Sequence, residues 1–218
     1  MIAPEARRQF IVDNTRRQRP PHTPELELHL ADEITPIWRM TEDALAEIGL
    51  PPPFWAFAWA GGQALARYLL DTPQAVAGKT VLDFASGSGL VAIAAARAGA
   101  ARVVAADIDP FCGPALALNA QANGVIVGFT DMNLLDAPAP AWAEVILAGD
   151  ICYEKPLAER VLAWLAAAHA AGATVLIGDP GRSYFPREGL TKLAEYQVPT
   201  TRELEDMEVK KTAVWTLP

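Results

Sequence analysis

The sequence predicts an α/β fold: a seven-stranded, mostly parallel sheet with helices on both faces, closed by a C-terminal antiparallel hairpin. Two observations carry this reading. From Thr80 onward, apolar β-runs alternate with helical patterns: strand 80–85, helix 89–98, strand 102–107, helix 110–122, strands 125–130 and 143–149, helix 155–171, strand 173–178. After a short helix near 187–195 come two strands with no helix between them, Tyr196 to Leu204 and Lys210 to Leu217, around an acidic Glu205-Asp206 turn. Consecutive strands joined by a turn pair as a hairpin, so the sheet finishes antiparallel.

Taken in order, residues 1–49 read as an N-terminal extension and residues 50–218 as the main domain. Residues 4–19 form an amphipathic helix pattern that stops at Pro20-Pro21, with a linker to Pro24. Leu26, Leu28 and Leu30 alternate with Glu27 and His29, a strand pattern. Thr41 before Glu42-Asp43 marks a helix start, and Gly49 with Pro51-Pro52-Pro53 its stop. This section reads as an add-on or lid. An aromatic cluster, Phe54 to Trp59, then precedes Gly61-Gly62 and a helix from Gln63 to Leu70. Phe54 and Phe57 are expected in the core. Trp59, beside two glycines, is expected to wall a ligand pocket. In helix 155–171, Leu157, Val161, Trp164, Leu165 and Ala168 form the stripe that faces the sheet.

Bulk properties narrow the function. The 218 residues suit one α/β domain with an extension, and 51% hydrophobic with 20% charged residues is ordinary globular composition. A net charge of −8 argues against a nucleic-acid partner and fits a basic protein segment or a small cation. No apolar run is long enough to cross a bilayer, so no membrane partner is expected. Cys112 and Cys152 give neither a disulfide framework nor metal-ligand spacing and read as buried thiols in a reducing compartment. His22, His29 and His169 are too scattered for a metal site or a triad, and no metal is expected. Arg7, Arg8, Arg16, Arg17 and Arg19 leave two readings open: a solvated helix, or an organellar transit peptide, which Glu5 and Asp13 oppose.

The most informative stretch is Val81-Leu-Asp-Phe-Ala-Ser-Gly-Ser-Gly89, an apolar strand ending in an acid, then a small-residue loop opening into an alanine-rich helix. Small side chains let backbone approach a ligand closely over a helix N-terminus. The next strand also ends in an acid, Asp107. A βαβ unit with an acid at the second strand's tip binds nucleosides, because that carboxylate accepts both ribose hydroxyls. A structural turn role is the alternative for Asp107.

A dinucleotide-binding dehydrogenase would show G-x-G-x-x-G and a second βαβαβ half. Here Asp83 precedes Gly87 and Gly89, and the sheet ends in a hairpin. This D-x-x-x-G-x-G pattern resembles the Rossmann-like, seven-β-strand S-adenosylmethionine methyltransferases across residues 80–218, departing from their usual glycine at Ala85. Three further segments are similar to the electron transfer flavoprotein β-subunit lysine methyltransferases. They are Phe54 to Asp71, Asp107-Ile-Asp-Pro110 and Gly178-Asp-Pro-Gly-Arg182. Asp150-Ile-Cys-Tyr153 fits the D-x-x-Y motif of the wider protein-lysine methyltransferase group. The similarity runs from about residue 50 to the C-terminus and is loose before it. Where that family has Trp-Pro-Gly-Gly, this chain has Trp59-Ala60-Gly61-Gly62.

The resemblance implies a protein-lysine N-methyltransferase using S-adenosyl-L-methionine. Its implied substrate is the electron transfer flavoprotein β-subunit, with a ribosomal protein or a small amine as the other substrates considered. In parallel sheets ligands sit beyond the carboxyl ends of strands, where Asp83, Asp107, Asn133, Asp150 and Asp179 all fall. The expected cofactor contacts are Trp59, Gly62, Asp83, Ser86, Gly87, Ser88, Asp107, Ile108, Asn133 and Asp150. Asp83 orders the loop and meets the methionine ammonium, and Ser86, Gly87 and Ser88 present backbone. Asn133 approaches the adenine edge or, alternatively, only forms a turn. Asp150 is the expected catalytic residue, orienting the substrate amine, with Tyr153 as pocket wall or, alternatively, as packing on helix 155–171. A monomer is expected, in the bacterial cytoplasm or, in a eukaryote, the mitochondrial matrix. A non-catalytic nucleoside- or partner-binding module is the competing class, and a nicotinamide dehydrogenase a more distant one.

Overall fold

Strand order in the central sheet follows from the loops that join its strands, and it fixes where a ligand can sit. The computed structural model describes residues 2–32, 35, 37, 52–186, 188–200 and 207–218. Among these, the elements run α1 (Pro4–Asn14), β1 (Arg16–Gln18), β2 (Leu28–Leu30), α2 (Ala60–Asp71), β3 (Thr80–Phe84), α3 (Leu90–Arg97), β4 (Arg102–Ala106), α4 (Cys112–Asn123), β5 (Gly128–Thr130), β6 (Val145–Gly149), α5 (Lys155–Ala170), β7 (Thr174–Asp179), β8 (Thr191–Pro199) and β9 (Val209–Thr216). The seven-stranded sheet has the order β5-β4-β3-β6-β7-β9-β8, parallel except for the pairings of β9 with β7 and β8. The chain winds outward from β3 to β5, then restarts on the other side at β6. The crevice between β3 and β6 is therefore the switch point at which such sheets bind ligands.

Each central strand buries both faces. Val81, Val103, Val145 and Leu147 point into one layer with α2 and α3, while Leu82, Ala106, Ile146 and Ala148 point into the other with α5. The α5 stripe is as expected at Val161, Trp164, Leu165 and Ala168, all buried, and Pro156 sits in its first turn, where its missing N–H costs no hydrogen bond. A third cluster joins Ile11 of α1 to Trp55, Phe111 and Ala115.

The structure departs from the sequence reading in three places. The N-terminal helix stops at Asn14 rather than residue 19, because Thr15 turns extended and Arg16–Gln18 pairs with Leu28–Leu30. The expected helix near 187–195 is absent among the described residues; Thr191–Pro199 is strand β8, stabilised by its ladder with β9. Phe54 is 46% exposed instead of buried, and Phe57 is half-buried. A 3-10 turn at Phe54–Ala56 puts Trp55 and Ala56 inward, with Trp55 stacked on Phe111 at 5.5 Å between ring centroids. The helix read from Thr41 to its proline stop, the Glu205-Asp206 turn and the 49/50 boundary lie outside the described residues.

The N-terminal residues are built into the main body. Leu26, Leu28 and Leu30 belong to the core that contains α2 and α3. Asn119 and Asn123, one turn apart on α4, hold this segment by its backbone. The His29 N–H donates to Asn119 Oδ1 at 2.7 Å, and Asn123 exchanges hydrogen bonds with the Glu27 N–H and carbonyl. The basic side chains are matched locally: Arg16 pairs with Asp32, and Arg17 and Arg19 with Glu27.

Candidate active site

A cleft of about 530 Å³ opens over the carboxyl ends of β3, β4 and β6, and a notch of about 50 Å³ adjoins it. Trp59, Ala85, Gly87, Gly149 and Asp150 line both and so mark their junction.

The floor of the notch is the loop after β3. Asp83, 1% exposed, accepts the Ala92 N–H at 2.9 Å and so ties the strand tip to the first turns of α3. Burial pushes its carboxyl up to about 8, and the nearby Asp107 adds to that rise. Gly87 and Gly89 have φ of 50° and 80°, and a Cβ on Gly89 would stand 2.3 Å from Leu116. Ala85 also adopts φ 53°, although it carries a Cβ. The Ser88 carbonyl accepts Asn119 Nδ2 at 2.8 Å, so one buried asparagine ties this loop to β2. The Ser86 hydroxyl is buried without a hydrogen-bond partner among the described residues.

Asp107, half-buried at the tip of β4, accepts the Gly87 N–H at 2.9 Å on one oxygen and the Asp109 N–H at 3.0 Å on the other. Those bonds aim its carboxylate along the cleft wall. Ile108, 70% exposed, and Met132, 66% exposed, stand beside it as apolar surface on the cleft. Asn133 lines the cleft and also forms a turn, its Oδ1 accepting the Leu135 N–H at 3.2 Å. The two sequence readings of Asn133 are thus compatible.

The opposite wall is aromatic. The Trp59 indole N–H donates to the Phe54 carbonyl at 3.0 Å, and Phe54 packs between Trp59 and Tyr153 with ring centroids 5.8 and 5.7 Å away. Tyr153 is 44% exposed and faces the cleft.

Asp150 sits at the junction with φ 56°, a conformation that Asp tolerates better than most residues. Its Oδ2 accepts the Gly62 N–H at 3.1 Å; its Oδ1 accepts Arg182 Nε at 2.9 Å and Nη2 at 2.6 Å. The first turn of α2 reaches this carboxylate because Gly61 and Gly62 let the helix lie close on Gly149 of β6 and Gly178 of β7. A Cβ on Gly61 would be 2.5 Å from Asp150 Oδ2, and one on Gly178 would be 2.1 Å from the Gly61 carbonyl. Asp179, at the tip of β7, accepts the N–H groups of Gly181 and Arg182 at 2.6 and 2.8 Å and shapes the turn that carries Arg182. Burial pushes Asp179 up to about 7, with Asp150 contributing.

The structure thus gathers Trp59, Gly62, Asp83, Ser86, Gly87, Ser88, Asp107, Ile108, Asn133, Asp150 and Tyr153 around the two cavities. Arg182 is the residue that the sequence reading gave no role. The signal was there: an acid at the end of β6 calls for a cation, and an arginine follows the neighbouring strand by one short turn. Cys152 is buried and its thiol pushed up to about 12; Cys112 is raised by burial as well, so neither is a poised nucleophile. Among the described residues no group of three His, Cys, Asp or Glu side chains is arranged for a metal ion, and no helix is long and apolar enough to cross a membrane.

A family model described as ribosomal protein L11 methyltransferase (PrmA) matches residues 64–166. The electron transfer flavoprotein beta subunit lysine methyltransferase of Danio rerio is 39% identical over 216 residues, covering 95% of this chain and 82% of that protein. The protein of the same name from Homo sapiens is 39% identical over 199 residues, 88% of this chain and 74% of its own. Among solved structures, magnesium protoporphyrin IX methyltransferase from Synechocystis PCC 6803, solved with bound SAM, superimposes with a TM-score of 0.51 at 17% identity over 72% of this chain and 80% of that one. That likeness establishes the shared Rossmann-like fold. With curated relatives of this similarity over nearly its whole length, the chain belongs to the electron transfer flavoprotein beta subunit lysine methyltransferase family.

Proposed function

We propose that this protein transfers methyl groups from S-adenosyl-L-methionine to lysine side chains of the electron transfer flavoprotein β-subunit. The observation that carries the reading is the junction itself: the nucleoside-type loops after β3 and β4 meet Asp150, Trp59 and Tyr153 at the switch point.

The residues fit this cofactor. A nucleoside needs a long cleft with an acid for its ribose, and an amino-acid tail needs a small polar notch beside it. In this reading Asp107 accepts the ribose hydroxyls, Ile108 and Asn133 flank the adenine, and Ser86, Gly87 and Ser88 offer backbone. The unpartnered Ser86 hydroxyl gains a bond there. Asp83 and Gly62 border the methionine end, and Trp59 closes the junction.

The bound cofactor supplies a methyl group already activated on a sulfonium. The protein aligns the amine with it and keeps that amine neutral. Lysine's ordinary pKa of ~10.4 makes deprotonation near pH 7.4 cost about 4 kcal/mol. The aromatic wall of Phe54, Trp59 and Tyr153 reduces that cost by withholding water from an ammonium. Asp150 accepts hydrogen bonds from the amine and sets its lone pair toward the methyl group.

Within this reading, residues 1–49 are an N-terminal extension whose described part packs into the catalytic core, and the enzyme acts as a monomer on a protein partner. It works in the cytoplasm of a bacterium or the mitochondrial matrix of a eukaryote. The test is incubation of the protein with labelled cofactor and β-subunit preparations, followed by mass spectrometry. Label on β-subunit lysines is the expected result; label absent from every such preparation defeats the substrate assignment. Label on a ribosomal protein instead would favour the second substrate, to which the family-model match over residues 64–166 points.

A further inference from the structure

We infer that Arg182 is the positioning residue of the transfer site: it fixes the Asp150 carboxylate and, as a permanent cation beside it, keeps the incoming lysine amine in its neutral form. This rests on the function just proposed.

An unneutralised Asp150 would work against the chemistry. A carboxylate next to an amine favours the ammonium form, which has no lone pair to attack with. Arg182 changes that balance. Its guanidinium takes Asp150 Oδ1 with two nitrogens, at 2.9 and 2.6 Å, while the Gly62 N–H holds Oδ2 at 3.1 Å. With the guanidinium bound to it, the carboxylate carries less net negative charge toward a substrate amine. A guanidinium does not deprotonate in proteins, so its repulsion of a second cation persists at every working pH.

The placement of Arg182 is constructed. Strands β6 and β7 are neighbours, with Gly149 opposite Gly178, so the residues just past their ends share one edge. The Asp179 carboxylate shapes the turn by accepting the Gly181 and Arg182 N–H groups. The guanidinium lies 5.8 Å from the Trp59 ring centroid, on the same wall of the cleft.

Among the described residues, the titratable groups that act on this pair are Cys152 after β6 and Asp179 from β7, with Tyr153 beside them on the cleft wall. The first turn of α2, Ala60 to Gln63, brings none. Asp179 is the group that could imitate the proposed effect, since it responds to both Asp150 and Arg182. It must be removed as a variable.

The experiment is the pH profile of kcat for methyl transfer to the β-subunit by the full chain at saturating substrate, which reports groups in the bound complex, with cofactor affinity measured alongside by calorimetry. For Arg182→Gln the acid limb should move up by about one pH unit, since a like charge within ~6 Å shifts an amine by that order. At pH 7 this reads as about a tenfold loss, and above the limb the loss shrinks. Cofactor affinity should change by less than about threefold, and Arg182→Lys, which keeps the charge, should retain the wild-type limb. The same displacement should separate Asp179→Asn from Asp179→Asn/Arg182→Gln. A Gln limb that superimposes on wild type, or a displacement that vanishes without Asp179, overturns the inference. If Arg182→Gln does not fold, Arg182→Met takes its place: a displaced limb supports the inference and a superimposed one overturns it. Failure of the wild-type protein to methylate the β-subunit would instead remove the proposed function.

Discussion

Ala85 and Asp150 are the two non-glycine residues with positive φ among the described ones, and both line the junction of the two cavities. For Ala85 the left-handed conformation costs about 1–2 kcal/mol. Glycine removes that penalty but gives back about 0.5–1 kcal/mol through its freer unfolded chain. Ala85→Gly should therefore raise stability by about 0.5–1 kcal/mol, read as a higher urea midpoint at constant m-value. A lowered midpoint would mean that the methyl group packs usefully. Asp150 has a larger part. In Asp150→Asn, an amide oxygen turned to Arg182 leaves its NH₂ facing the Gly62 N–H, donor against donor, a loss of about 1–3 kcal/mol. Cofactor affinity should stay within a few-fold, because the loops after β3 and β4 supply most of the cofactor's contacts. The transfer rate should fall on the order of a hundredfold or more, since the amine loses its acceptor. Single-turnover assays beside calorimetry separate the two. Undiminished transfer would remove Asp150 from the mechanism.

At the scale of elements, the site depends on α2 lying hard against β6 and β7. Gly61 meets the Gly178 carbonyl and Asp150 so closely that Gly61→Ala should cost about 1–3 kcal/mol by overpacking. It should also displace Asp150 and depress transfer more than cofactor binding; equal thermal midpoints for variant and parent would contradict this. Elements differed in how openly the sequence announced them. The βαβ succession from Thr80 was legible because each strand is a short apolar run closed by Asp83, Asp107 or Asp150, and each helix has its stripe. The first half of β8 was hidden because Thr191-Lys-Leu-Ala-Glu-Tyr is locally compatible with helix, whereas its continuation from Tyr196 and the hairpin with β9 were read. The alternation of Ala194, Tyr196 and Val198 on the inward face with exposed Leu193, Glu195 and Gln197 was the missed signal. Arg16–Gln18 was hidden likewise: three polar residues become a strand only because Leu28–Leu30 is there to pair with them. In the site, strand-tip acids could be listed from the sequence. Their partners could not, since Asp150 with Arg182 and Asn119 with Ser88 depend on strand order and helix placement.

For the whole molecule, Asp83 and Asp179 give an unusual pH dependence. Both hold protons in the folded state, up to about 8 and about 7, that the unfolded chain has already released. The folded state therefore binds more protons, and stability falls as pH rises through that range. His22 and His29, which burial shifts downward, are mostly neutral in both states above pH 7 and add little there. Urea midpoints should thus decline from pH 7 to 8.5, and Asp179→Asn should flatten part of the decline. A midpoint rising over that interval would mean that these carboxyls are ionised in the folded protein.

The proposed chemistry requires the methyl donor to lie across the β3–β6 switch point. The most direct measurement is a crystal structure of the protein with S-adenosylhomocysteine. It should show the ribose hydroxyls on Asp107, the amino-acid tail in the notch beside Asp83 and Ser86, and the sulfur turned toward Asp150. A nucleoside bound outside the cleft, or a sulfur turned away from Asp150, would contradict it.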